Sequence, residues 1–274
     1  MSRPVAVITG ASSGIGAELA KVFAARGYDL VLCARRESRL KALAEDIATQ
    51  TGGAATCTVV SCNLARSKGP SKLIDSIADL GLEVDVLVNN AGVAESGRFV
   101  DMARSTTKDL LNLNVRALTE LSLVFSRQMG ERGKGRILNV ASVVAFRPLP
   151  SLAVYAASKA YVLSLTESLA EEFRGTGVTF SALCPGVTRT EMTDDLLPEA
   201  FQGMTDVTMA DAASVARAGY DACRRGEVIH VPGVFNQAFV NWGQYQPRWS
   251  YRLLSGLAAR MSFAYNEETA SKRG

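Results

Sequence analysis

Tyr155 and Lys159 stand four apart in YAASK, within a stretch whose apolar spacing predicts a helix, so their side chains share one helix face. The spacing bears on chemistry because a free phenol, with a pKa of about 10, is a weak base near neutrality, and a nearby ammonium favours the phenolate. Tyr155 is therefore read as a candidate acid/base. Ser142 follows the apolar run RILNVA, at what should be the carboxyl edge of a strand. Open α/β sheets bind ligands at that edge, and the hydroxyl is placed there to bond a substrate oxygen. Taken alone, a Tyr four before a Lys is more often a packed ring beside a solvated amine.

A second chemical stretch is TGASSGIG, residues 9–16. Gly10, Gly14 and Gly16 let the backbone turn tightly around Ser12, Ser13 and Ile15, and let a pyrophosphate approach a helix N-terminus whose free N–H groups favour negative charge. Its position between a strand (VAVIT) and a helix predicts dinucleotide binding. An NAD site expects a carboxylate at the end of the second strand, and this chain instead reads Cys33-Ala34-Arg35-Arg36. Arg35 and Arg36 suit a 2′-phosphate through forked, charge-assisted hydrogen bonds, so NADP(H) is expected. The alternative is that both arginines begin a solvated loop, and Glu37 follows them directly.

Composition narrows the other options. Of 274 residues, 47% are hydrophobic and 21% charged, which fits an ordinary globular chain. A single histidine, His230, excludes zinc sites built on several imidazoles, and no GxSxG elbow accompanies it for a hydrolase triad. Net charge is +3 without basic runs, so no nucleic-acid footprint is expected. The five cysteines form no CxxC pair and read as reduced core thiols of a cytoplasmic protein. Neither a signal-peptide pattern nor an apolar run of membrane-spanning length is visible.

The elements that must position these groups alternate along the chain. Strand-like runs at 5–9, 29–34, 55–61, 84–89, 136–141, 178–184 and 228–231 are separated by helical spacing at 14–26, 38–47, 71–80, 105–129 and 153–173. Strands apolar on both faces, joined by amphipathic helices, predict a doubly wound, mainly parallel seven-stranded sheet of the Rossmann type with helices on both faces. Residues 1–232 are read as one dinucleotide-binding and catalytic domain, and 233–274 as an amphipathic extension with a polar tail.

These pieces, in this order and spacing, resemble the short-chain dehydrogenase/reductase family across about residues 5–232. They are TGASSGIG, NNAG (Asn89 to Gly92), Asn114 in LNLNV, Ser142, YAASK and PG followed by VTRTEM. The resemblance implies a catalytic tetrad of Asn114, Ser142, Tyr155 and Lys159. Tyr155 would exchange the proton of a carbonyl or alcohol, Ser142 would polarise that oxygen, Lys159 would lower the tyrosine pKa and bind the nicotinamide ribose, and Asn114 would hold a water. Asn90, Ala91 and Gly92 would line the cofactor, as would Pro185, Gly186, Val187, Thr188 and Thr190. Many relatives carry aspartate where this chain has Asn63, followed by Leu64, and adenine contact is expected to survive the change because an amide still donates and accepts. A homodimer or homotetramer paired through the long helices is also implied.

The expected reaction is hydride transfer between NADP and an apolar or aromatic ketone or secondary alcohol. Its rivals are a catalytically idle NADP-binding sensor or scaffold, and an acyl-carrier 3-oxoacyl reductase. Phe146, Leu149, Leu152, Met192, Leu196, Leu197, Phe201 and Met204 are the expected substrate-lining residues, with 193–204 as a lid. A C-terminal helix over 242–263 should pack Trp249, Leu253, Leu257 and Met261 on the protein itself or on a neighbouring subunit. Peripheral membrane contact through its arginines is the less favoured alternative.

Overall fold

The computed structural model describes residues 3–191, 193, 209–245, 247, 249–250, 252–253, 255–257 and 260. Seven parallel strands form one sheet in the order β3-β2-β1-β4-β5-β6-β7. They are β1 (Val5–Thr9), β2 (Asp29–Ala34), β3 (Cys57–Ser61), β4 (Val84–Asn89), β5 (Gly135–Val140), β6 (Val178–Leu183) and β7 (Ile229–His230). The chain winds outward from β1 to β3, then returns to place β4 on the other side of β1. The crossovers therefore diverge between β1 and β4 and leave a crevice beyond their carboxyl ends.

Helices α1 (Gly14–Ala25), α2 (Glu37–Gln50) and α7 (Ala212–Arg225) cover one face of the sheet. Helices α3 (Gly69–Asp79), α5 (Leu118–Arg132) and α6 (Ala153–Glu172) pack on the other. Strand alternation divides the core accordingly: Ala6 and Ile8 of β1 join Leu19, Phe23 and Leu40, while Val5 and Val7 join Leu73, Leu121 and Phe125. Phe23 meets Tyr28 and Tyr220 edge to face, with centroids 5.1 and 4.9 Å away, and so ties α1 to α7.

One expected helix is broken. The stretch read as a single helix over 105–129 consists of α4 (Arg104–Leu111), a π-helical turn (Asn112–Ala117) and α5. The wider turn carries Asn114 inward, where its amide Nδ2 donates to the Val93 carbonyl (2.9 Å) and to Ser158 Oγ (3.1 Å), and its Oδ1 accepts from Val93 N–H (3.0 Å). These three bonds offset the imperfect helical ladder.

A buried polar chain joins the sheet to the helix that bears Tyr155. Asn89 Nδ2 donates to Ser122 Oγ (3.0 Å) and to Asn139 Oδ1 (2.9 Å), and Asn139 Nδ2 donates to Thr166 Oγ1 (2.9 Å). Asn89 and Asn139 are register partners on β4 and β5, so the chain pins two strand ends to α5 and α6. Asn139→Ala should cost about 1–3 kcal/mol of unfolding free energy, measured by denaturant titration, because it strands partners where water cannot replace it.

The C-terminal expectation changes in orientation. Helix α8 (Val234–Tyr245) begins well before Trp242. Arg252 and Ser255 line a hollow against Phe146, Leu149 and Ala160, whereas Trp242, Trp249, Leu253 and Leu257 are exposed by 60, 64, 59 and 48%. The apolar side thus does not pack on this chain's own domain, one of its two expected partners. Met261 lies outside the described residues.

Candidate active site

The glycine loop leaves β1 with Gly10 at φ +68° and Gly14 at φ +57°, the left-handed region that glycine occupies without penalty. Close packing also demands glycine here. A Cβ at Gly10 would stand 2.7 Å from Asn90 Nδ2, and one at Gly16 would stand 2.4 Å from the Gly10 carbonyl oxygen. Thr9 Oγ1 secures the neighbouring strand end by donating to the Val88 carbonyl (3.1 Å) and accepting from the Asn90 and Ala91 N–H groups (both 3.0 Å). The loop and the NNAG turn are thus locked together at the crevice between β1 and β4.

A continuous cleft runs from this crevice. At one end stand Arg35, Arg36, Asn63 and Leu64; the glycine loop, Thr190 and Asn90 to Gly92 form its middle; Ser142, Tyr155, Lys159, Pro185, Gly186 and Thr188 form the other end. Of the residues expected to line it, Gly10, Ser12, Ser13, Gly14 and Ile15 do so. Three expected residues stand back from it. Gly16 serves packing under the loop, Val187 is 42% exposed elsewhere on its turn, and Asn114 lies behind Gly92. Val93, Leu113, Val140, Glu191 and Thr193 also line the cleft and were not among the residues expected to do so.

At the far end Tyr155 and Ser142 line the cleft together, and Ser142 Oγ donates to the Pro185 carbonyl (3.4 Å) and accepts from Val144 N–H (3.4 Å). Burial pushes the Tyr155 phenol up to about 12, opposed by the neighbouring Ser142 hydroxyl. Desolvation is the larger of the two effects and favours the protonated phenol. Lys159 Nζ lies 5.7 Å from the Tyr155 ring centroid and donates to the Val140 carbonyl (2.7 Å). Burial lowers its pKa to about 8, so the ammonium titrates close to neutrality.

Gly92 keeps a gap open beside this lysine. A Cβ there would lie 3.3 Å from Asn114 Oδ1 and 3.5 Å from Lys159 Nζ, so the amide and the ammonium border the same small space. Behind them, Asn114 Nδ2 reaches Ser158 Oγ, which donates to the Tyr155 carbonyl (2.7 Å), joining the π turn to the first turn of α6. The C-terminal extension also touches this end: a Cβ on Gly186 would meet Asn236 Oδ1 at 2.4 Å, so α8 packs directly on the PG turn.

The residues fit a dinucleotide. The glycine loop offers helix N–H groups, cations flank one end, and a phenol and a serine hydroxyl stand at the other. Phe146 and Leu149 face a separate hollow of about 670 Å³ beside Ala156 and Ala160, and do not line the cleft. Leu152, half-buried at the N-cap of α6, lines neither the cleft nor that hollow, and the remaining expected substrate residues, Met192, Leu196, Leu197, Phe201 and Met204, lie outside the described residues.

Comparison with known proteins agrees with this geometry. The family model for short chain dehydrogenases matches residues 4–200. A short chain dehydrogenase of Pseudocercospora fijiensis is 39% identical over 202 residues, covering 72% of this chain and 64%, just under two thirds, of that protein. A short-chain dehydrogenase from Sphingobium yanoikuyae in complex with NADPH is similar with TM-score 0.76 and 32% identity, covering 94% of this chain and 95% of that one. The bulky-bulky ketone specific alcohol dehydrogenase from Comamonas testosteroni is similar with TM-score 0.74 and 30% identity, covering 96% and 95%. The chain belongs to the short-chain dehydrogenase/reductase family and is an NAD(P)-dependent oxidoreductase.

Proposed function

We propose that the protein reduces apolar or aromatic ketones with NADPH, and oxidises the matching secondary alcohols, through Asn114, Ser142, Tyr155 and Lys159. The observation that carries this reading is Tyr155 and Ser142 at one end of a cleft, with the buried Lys159 beside the Tyr155 ring and two arginines at the other end. NADP(H), when bound, supplies or accepts the hydride. In reduction, Tyr155 gives its proton to the substrate oxygen as negative charge develops there, and Ser142 donates a hydrogen bond to the same oxygen. Lys159 then returns a proton to the phenol across the space beside Gly92, where Asn114 Oδ1 holds a water. The reverse sequence serves oxidation.

The cofactor-contacting roles of residues 10, 12–16, 35, 36, 63, 64, 90–92, 185–188 and 190 are part of this reading, with 1–232 as the working domain and 233–274 as its extension. Likeness to the bulky-bulky ketone specific alcohol dehydrogenase from Comamonas testosteroni supports a bulky apolar substrate. Exposed Phe99, Leu111, Leu123 and Tyr161 around α4 to α6 support pairing of copies into a homodimer or homotetramer. No helix among the described residues is long and apolar enough to cross a membrane, and cytoplasmic residence is the working location.

The test is steady-state oxidation of NADPH and NADH against a panel of aryl, alkyl and charged carbonyl compounds. NADPH with apolar ketones should be at least about tenfold more efficient, because Arg35 and Arg36 gain a charge-assisted partner. Arg36→Ala should remove most of that preference. Equal efficiency with both cofactors contradicts the NADP assignment, and strong preference for charged sugars contradicts the substrate class.

A further inference from the structure

The carboxylate missing from the end of β2 reaches the same place from another part of the chain. Glu191 lies on the turn that follows Pro185 and Gly186, and its Oε2 pairs with Arg36 Nη1 at 2.8 Å while Oε1 pairs with Arg39. The same Arg36 guanidinium donates to Ser13 Oγ (2.8 Å) and Ser12 Oγ (3.1 Å) on the glycine loop. Arg36 and Glu191 both line the cofactor cleft. An anion thus already sits on the cations at the adenosine end.

Its position is built into the local structure. Thr193 Oγ1 accepts from Thr190 N–H (3.0 Å) and bonds the Thr188 carbonyl (2.8 Å), and Thr188 pairs with Ala210 in a parallel bridge. Thr190 abuts the glycine loop, with its Cγ2 lying 3.0 Å from where a Cβ on Gly14 would stand. The turn therefore presents residue 191 directly over the loop. The two arginines hold the Glu191 carboxyl below its usual pKa, so it is charged wherever the enzyme works.

We infer that Glu191 is an internal competitor for the 2′-phosphate subsite: it occupies Arg36 and Arg39 until an adenosine 2′-phosphate displaces it, and so limits discrimination of NADP(H) from NAD(H). The inference rests on the reading of Arg36 as a 2′-phosphate partner. A phosphate group carrying nearly two negative charges cannot share these guanidiniums with a carboxylate without repulsion. A 2′-hydroxyl brings no charge, so it leaves the bridge in place. Side chains of Arg36, Arg39 and Glu191 are 41, 47 and 52% exposed, which makes the bridge weak enough to exchange.

Equilibrium binding to the full chain, read by cofactor fluorescence and by calorimetry with adenosine 2′,5′-bisphosphate and 5′-AMP, tests it. Glu191→Gln should tighten NADPH and the bisphosphate about three- to tenfold while NADH and 5′-AMP stay within about twofold, and the gap should shrink as salt rises. In an Arg36→Ala/Arg39→Ala background the same substitution should change nothing. Unchanged or weaker NADPH binding in Glu191→Gln, alongside selective NADPH loss in Arg36→Ala, overturns this inference and leaves the proposed function standing. No selective loss in Arg36→Ala overturns the cofactor reading beneath it.

Discussion

Tyr155→Phe is expected to lower kcat for ketone reduction by about 10²- to 10⁴-fold while NADPH binds within about twofold of the parent. The substitution removes one oxygen and keeps the ring, so the packing of α6 and the position of Lys159 Nζ over that ring persist. What disappears is the hydroxyl with its transferable proton. An effect confined to KM would assign Tyr155 to substrate binding and contradict the acid/base role. Rates should also depend on pH in opposite ways for the two directions. Reduction needs protonated Tyr155 and charged Lys159, so it should be flat below about 8 and fall above it, following the lysine. Oxidation needs the phenolate with the same ammonium, so it should rise by about tenfold per pH unit and level off near 8. Initial-rate profiles in both directions check the signs.

Lys159→Met should damage both turnover and cofactor affinity, each by about tenfold or more, because one buried ammonium serves the proton path and the ribose. It should not damage the fold. Burial lowers the Lys159 pKa from 10.5 to about 8, so at neutral pH the folded protein bears an unfavourable ammonium worth about 3 kcal/mol. Methionine removes that cost and leaves the Val140 carbonyl without its 2.7 Å donor, a loss of about 1–3 kcal/mol. Stability at pH 7 should therefore stay within about 2 kcal/mol of the parent. The parent itself should grow more stable as pH rises from 8 to 10.5, since its unfolded chain binds the extra proton there, and the methionine variant should lose that slope. Denaturant titrations at several pH values separate this outcome from simple misfolding.

The features that were readable along the chain are those determined by near neighbours. The glycine loop, the apolar strands and the four-residue step from Tyr155 to Lys159 depend on local backbone geometry, and strand limits moved by only one or two residues at most ends. The π turn was not readable, because it exists to satisfy Val93 and Ser158, which packing alone brings to Asn114. Asn89, Asn139 and Thr166 look like polar lapses in apolar runs until register places them side by side. Glu191 is 155 residues from Arg36, so no spacing rule connects them. The protonation state of Tyr155 depended on burial, which periodicity does not report.

The most direct test of the central claim is transfer of label. Parent protein and Tyr155→Phe are mixed in single turnover with NADPH deuterated at nicotinamide C4 and an aryl alkyl ketone, and the alcohol is examined by mass spectrometry. Deuterium on the carbinol carbon, equal to the cofactor consumed by the parent and appearing about 10²- to 10⁴-fold more slowly with Tyr155→Phe, is the predicted result. NADPH that binds yet gives no label to any ketone of the panel would mark the protein as a binding module and contradict the account.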